Sequence, residues 1–129
     1  MGKSQTKTFL QVVREDGRYP PQAYAFLNEA LTMAAKREHG QSADAPRHVT
    51  GRQLCLAVRD LAVERWGLMA PAVLRRWNVH RTADLGQMVF LLVDGGFMKK
   101  TQEDTLADFD DVFDFQQAFA QAGRFQMKN

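Results

Sequence analysis

The side chains able to do covalent or acid–base chemistry are few and scattered. Three histidines, His39, His48 and His80, and a single cysteine, Cys55, stand at separations unlike those by which one helix or turn presents metal ligands. Bringing His48 to His80 would require the fold to do it, and hydrogen bonding or surface exposure explains isolated histidines more simply. Cys55 lies among Leu54, Leu56 and Val58, which suits an inert core thiol; Arg52 and Arg59, one turn away on either side, are what would favour a reactive one. The carboxylates Asp104, Asp108, Asp110, Asp111 and Asp114 are dense enough for a general acid–base pair or a divalent-ion loop. They lack the alternating ligands, glycine and closing glutamate of an EF-hand, so a solvated or arginine-pairing edge is the better reading. Gly95-Gly96 follows an apolar helical stretch and precedes Phe97, the reverse of the strand-to-helix order that aims amides at phosphate. The sequence assigns no catalytic residue, no metal ligand and no cofactor.

Charge is laid out more distinctively. Between Arg47 and Arg81 stand seven arginines (47, 52, 59, 65, 75, 76 and 81) and two acids, Asp60 and Glu64, an excess of five positive charges in a chain whose formal total is +2. Between Thr82 and Asp114 stand eight acids and two lysines, an excess of six negative charges. Either the arginines form a face for an anionic partner, or the acidic segment folds over them and neutralises them.

The elements that must position these groups are helical. Phe9, Val12 and Val13 share a face of a short helix over Thr8 to Asp16, stopped by Gly17. Pro21 to Glu38 carries Ala23, Phe26, Leu27, Ala30, Leu31 and Ala34 at spacings of three and four. Residues 40–47, GQSADAPR, read as a surface loop. Thr50 caps a helix over Gly51 to Trp66, and Pro71 starts a short one that ends near Asn78. Thr82 to Asp94 is apolar nearly all round and therefore belongs at the centre, with Gly95 and Gly96 ending it. After Gly96 the pattern admits a short β-hairpin or an ordered irregular segment between residues 97 and 113. Asp114 and Gln117 resemble a capping pair for a last helix, Phe115 to Ala122. Phe109, Phe113, Phe115 and Phe119 read as anchors to the core, and Tyr19, Tyr24, Trp66 and Trp77 as core or boundary groups whose polar tips reach a partner. The expectation is a mainly α, single compact domain of about five or six helices spanning 1–129, with residues 1–7 and 124–129 frayed.

Composition agrees. The 129 residues are 45% hydrophobic and 25% charged, the balance of a folded soluble domain. The longest apolar run, Met88 to Val93, is far below the roughly 20 residues that cross a bilayer. MGKSQTKTFL lacks the apolar centre of a signal peptide, and a lone cysteine suits a reducing compartment, so a cytoplasmic location is expected.

The runs RYPPQAYAFLNEAL, HVTGRQLCLAVRDLAVERWG and RTADLGQMVFLLVDGGFMKKTQEDTLADFDDVFDF resemble a small uncharacterised bacterial protein family restricted to Verrucomicrobia and Planctomycetes, over nearly all of the chain after Arg18. That resemblance implies a cytoplasmic bacterial setting and assigns no activity to any residue. QAYAFLNEALTMAAKREHG, HVTGRQLCLAV and APAVLRRWNV together look like one repeat of the Clp protease-chaperone N-terminal domain, which binds adaptors and substrates. Only one such unit is present, and Gly51-Arg52-Gln53 replaces the acidic residue and histidine of that repeat, so no binding residue carries over. The order Ala70 to Trp77, NVHR, the helix from Thr82 and a hairpin from Phe97 to Phe113 looks like a winged helix. A recognition helix must show polar side chains to a groove, whereas Thr82 to Asp94 offers mainly Asp84 and Gln87, and the wing would be acidic.

The functional expectation is a non-enzymatic protein–protein interaction module, binding a protein partner or a second copy of itself through Arg52, Arg59, Arg75, Arg76 and Arg81. Nucleic-acid binding by the same arginines is the alternative. An enzyme assembled on His48, Cys55 or the acidic segment is the third. No membrane partner is expected.

Overall fold

Two threonines open two helices in the same way. In the computed structural model of the chain, whose described residues are 7–40, 49–98 and 106–120, Thr8 Oγ1 accepts from the Gln11 N–H at 3.2 Å while Gln11 Oε1 accepts from the Thr8 N–H at 2.8 Å. Thr50 and Gln53 repeat the exchange at 3.0 and 2.9 Å. Each reciprocal pair satisfies donors that a helix start would otherwise leave bare. They begin α1 (Phe9–Asp16) and α3 (Gly51–Trp66), whereas α2 (Pro21–His39) begins on a proline whose missing N–H costs nothing there.

A 3-10 turn, Gly67–Met69, leads from α3 into α4 (Ala70–Arg76), and α5 (Thr82–Asp94) follows. The ends of α4 and α5 are closed alike. Asn78 and Gly96 take left-handed φ values of 67° and 84°, and the chain turns back to give Val79 N–H to Leu74 O and Phe97 N–H to Leu92 O, at 2.9 and 2.8 Å. The sequence places the stop of α5 at the glycine pair; Gly96 supplies the left-handed residue, and Gly95 stays right-handed.

α2 and α3 form the largest helix pair. They run antiparallel, since Glu29 reaches Arg65 while Arg37 reaches Asp60. Buried Ala23, Ala30 and Ala34 on α2 and Ala57 and Ala62 on α3 keep side chains small and allow close packing. α5 buries Leu85, Met88, Val89 and Leu92, and only Asp94 along it is exposed, as its all-round apolar character requires. Off its main stripe, Phe90 meets Phe109 edge-to-face at 6.4 Å.

Residues 106–113 contain no strand: Leu106–Phe109 is a 3-10 turn followed by bends, the irregular alternative to a hairpin, while residues 99–105 lie outside the described residues. Phe109 anchors this stretch, 3% exposed, against the glycines of two helices. A Cβ on Gly86 would come within 2.8 Å of its Cβ, and one on Gly51 within 3.1 Å of its ring. Thr82, the one buried polar residue among those described, donates from Oγ1 to Phe109 O at 2.6 Å and accepts from Val112 N–H at 3.1 Å. Residues 115–120 are helical, with Asp114 Oδ1 accepting from Gln117 N–H at 3.1 Å and Phe119 buried. Residues 1–6 and 121–129, including the expected frayed ends and the last turn to Ala122, lie outside the described residues. The described chain is mainly helical, in one compact domain without strands.

Candidate functional site

The five arginines expected to engage a partner differ in what they touch. Arg59 on α3 donates from Nε to the adjacent Asp60 at 2.8 Å, and Asp60 also takes Arg37 of α2 at 2.9 Å. Arg65 is likewise engaged, donating to Glu29 at 2.5 Å with its guanidinium 5.7 Å from the centre of the Phe26 ring. That pairing holds the Glu29 carboxyl below its ordinary pKa and Arg65 above its own. The Arg37–Asp60 and Arg65–Glu29 pairs join α2 to α3, and neither acid comes from the acidic segment.

Arg52, Arg75, Arg76 and Arg81 are exposed and make no ion pair among the described residues. Arg52 stands in the first turn of α3, next to Gly51, which packs on the 3-10 turn that carries Phe109. Arg81 shares a shallow cleft with His80, Asp111 and Asp114, so acidic and basic segments approach one another there without an ion pair between them. Asp84 fixes this corner: its Oδ2 accepts from the backbone N–H of His80 at 2.7 Å and of Arg81 at 3.2 Å, and its Oδ1 from Tyr19 Oη at 2.8 Å.

Arg75 and Arg76 have distinctive company. They end α4, where the helix dipole favours cations. Just before α4 stand Leu68, 55% exposed, and Met69, 61% exposed, the two most exposed large apolar side chains among the described residues. Taking about 100° per residue along α4 and about 120° through the 3-10 turn before it, Leu68, Met69, Ala72, Arg75 and Arg76 fall within roughly 120° of arc, opposite the buried Ala70 and Leu74. Two exposed cations and two exposed apolar groups therefore share one side of α4 and the turn that leads into it. The half-buried rings of Trp66 and Trp77, which flank this stretch in sequence, stand 5.4 Å apart and pack with Phe26. Leu68 and Met69 have a faint sequence signal: they lie between the stop at Gly67 and the start at Pro71, where no helical stripe claims them.

The other chemical candidates stay apart. Cys55 is fully buried, and burial raises its thiol pKa to about 12 against a small opposing pull from Arg52, the reverse of what a nucleophile needs. His80 is exposed, its Nε2 3.0 Å from Asn78 Oδ1. His48, Arg47 and Asp104 lie outside the described residues, as does the side chain of His39. Among the described residues no group of three His, Cys, Asp or Glu could hold a metal ion. No helix is long and apolar enough to cross a membrane. Tyr19 and Tyr24 are both buried: Tyr19 reaches Asp84, but the Tyr24 hydroxyl, expected to find a partner, has none among the described residues.

α5 could not serve as a recognition helix, because one side is buried and nearly all the rest is half-covered. No protein-family model, curated protein or solved structure matches this chain.

Proposed function

We propose that the protein is a non-enzymatic interaction module whose partner-facing surface is the outer side of α4. The observation that carries this reading is the single arc holding exposed Leu68 and Met69 beside exposed Arg75 and Arg76, which make no ion pair among the described residues. Exposed apolar side chains next to arginines have the composition of an interface centre rather than of ordinary surface. Charge complementarity selects a partner protein with carboxylates flanking an apolar ridge. Of the arginines expected to take part, Arg59 is occupied by Asp60, and Arg52 stands at the opposite end of α3 from the turn that leads into α4. A nucleic acid is disfavoured because Arg81, the next arginine along the chain, shares its cleft with Asp111 and Asp114.

The test is a photo-crosslinking residue at position 72, in the middle of the arc, in the full chain expressed in cells. An adduct with an acidic protein, resistant to nuclease and lost in an Arg75→Glu/Arg76→Glu variant that folds normally, is the expected result. A nuclease-sensitive adduct would move the reading to nucleic acid, and an adduct of two copies would move it to self-association. Absence of any adduct, with a strict monomer in solution, would overturn it.

A further inference from the structure

A second feature is concave and lies away from α4. Phe9 of α1, Leu27 and Leu31 of α2, Leu54 of α3 and Leu92 of α5 wall a half-enclosed cavity of about 370 Å³. Phe97 and Met98, just past the end of α5, complete the wall; Phe97 is 40% exposed. Asn28 is the only amide in the described lining, and no charged side chain takes part.

We infer that this cavity is a binding site for a small, uncharged, apolar molecule built on an aromatic ring or short alkyl chain. The volume falls at the lower end of the range of roughly 300 to 1,000 Å³ typical of small-molecule sites, too little for a folded partner segment. An apolar wall gives water few hydrogen-bond partners, so filling it with an apolar ligand releases poorly held water and restores dispersion contacts. A charged ligand would have to give up hydration with no counter-charge among the described residues of the wall to replace it. Tyr24 contributes ring surface to the wall; its hydroxyl is fully covered and is not a handle for the ligand. Four helices meet here, and the rings of Phe9 and Phe97 stand edge-to-face at 5.9 Å, so the wall is formed before any ligand arrives.

The probe for testing this is the neutral fluorophore N-phenyl-1-naphthylamine, titrated against the full chain, with its anionic relative 1-anilinonaphthalene-8-sulfonate as comparison. The expected result is saturable binding of one neutral molecule per chain, with the anionic probe weaker by about tenfold or more. Leu31→Trp fills the cavity from its half-buried wall and should weaken the neutral probe by about tenfold. If that variant folds poorly, methyl NMR on the unaltered protein decides, since shifts should centre on Leu27, Leu31, Leu54, Leu92 and Met98. Non-saturable binding, equal affinity for the anion, or shifts centred on Leu68 and Met69 would each overturn the inference. The last result would leave the reading of α4 intact.

Discussion

Gly86 lies directly under Phe109, so close that the smallest side chain on α5 at that point would meet the phenylalanine at 2.8 Å. The contact is with Phe109 Cβ and Cγ, the rigid root of the side chain, which cannot swing aside. Gly86→Ala should therefore destabilise the fold by about 2 to 3 kcal/mol, the cost of overpacking a well-filled site. Gly51→Ala, whose Cβ would meet Asp108 Cβ at 3.0 Å and the Phe109 ring tip at 3.1 Å, should cost less. Urea denaturation of both variants checks the order.

Thr82→Val keeps the shape of the side chain and removes both hydrogen bonds of a fully buried hydroxyl. Phe109 O and Val112 N–H lose their partner, and the loss should be about 2 to 3 kcal/mol. Faster amide exchange at Val112 than elsewhere in the core would accompany it. An unchanged midpoint and unchanged exchange would show that the hydroxyl does not hold the 109–112 segment.

The two tyrosines should respond oppositely to loss of the hydroxyl. Tyr19→Phe removes the bond to Asp84 and should cost about 1 to 2 kcal/mol. Tyr24→Phe removes a buried hydroxyl that has no partner among the described residues, so stability should hold or rise by up to about 1 kcal/mol. Thermal unfolding of the pair measures the contrast directly.

Alkaline pH should unfold the protein. Burial raises the Tyr24 pKa to about 12, and burial with the bond to Asp84 raises that of Tyr19 further; Cys55 is raised to about 12. Above their ordinary values, the unfolded chain releases these protons while the folded chain keeps them, so the folded state binds more and stability falls as pH rises. The stability should be intact at pH 8 and decline from about pH 9 upward, as the unfolded thiol and then the phenols ionise. Tyrosinate absorbance should appear together with loss of helical circular dichroism. Ionisation of both phenols near pH 10 with the helices intact would contradict this.

Much of the architecture was legible from local pattern. The bounds of α3 and α5 follow from their periodicity and from Gly67 and Gly96, because helix starts and stops are short-range events. The fate of the arginines was not. Whether Arg65 is free depends on Glu29, 36 residues away on a neighbouring helix, and Arg59 and Arg37 share Asp60 only because α2 and α3 run antiparallel in this register. The role of Gly86 was equally hidden: a glycine within a helical pattern signals a close approach without naming what approaches. The exposed pair Leu68 and Met69 sits on a 3-10 turn of three residues, too short to show a period in the sequence.

The opening turn of α5 serves as a clasp for two distant stretches of chain. Asp84 fastens Tyr19 from the N-terminal side, and Thr82 fastens residues 109 and 112 from the C-terminal side. Neither stretch can detach without stripping part of the same turn. Trimming the protein from either end should therefore loosen one shared point, and the domain should melt as a single cooperative unit rather than peel away in stages.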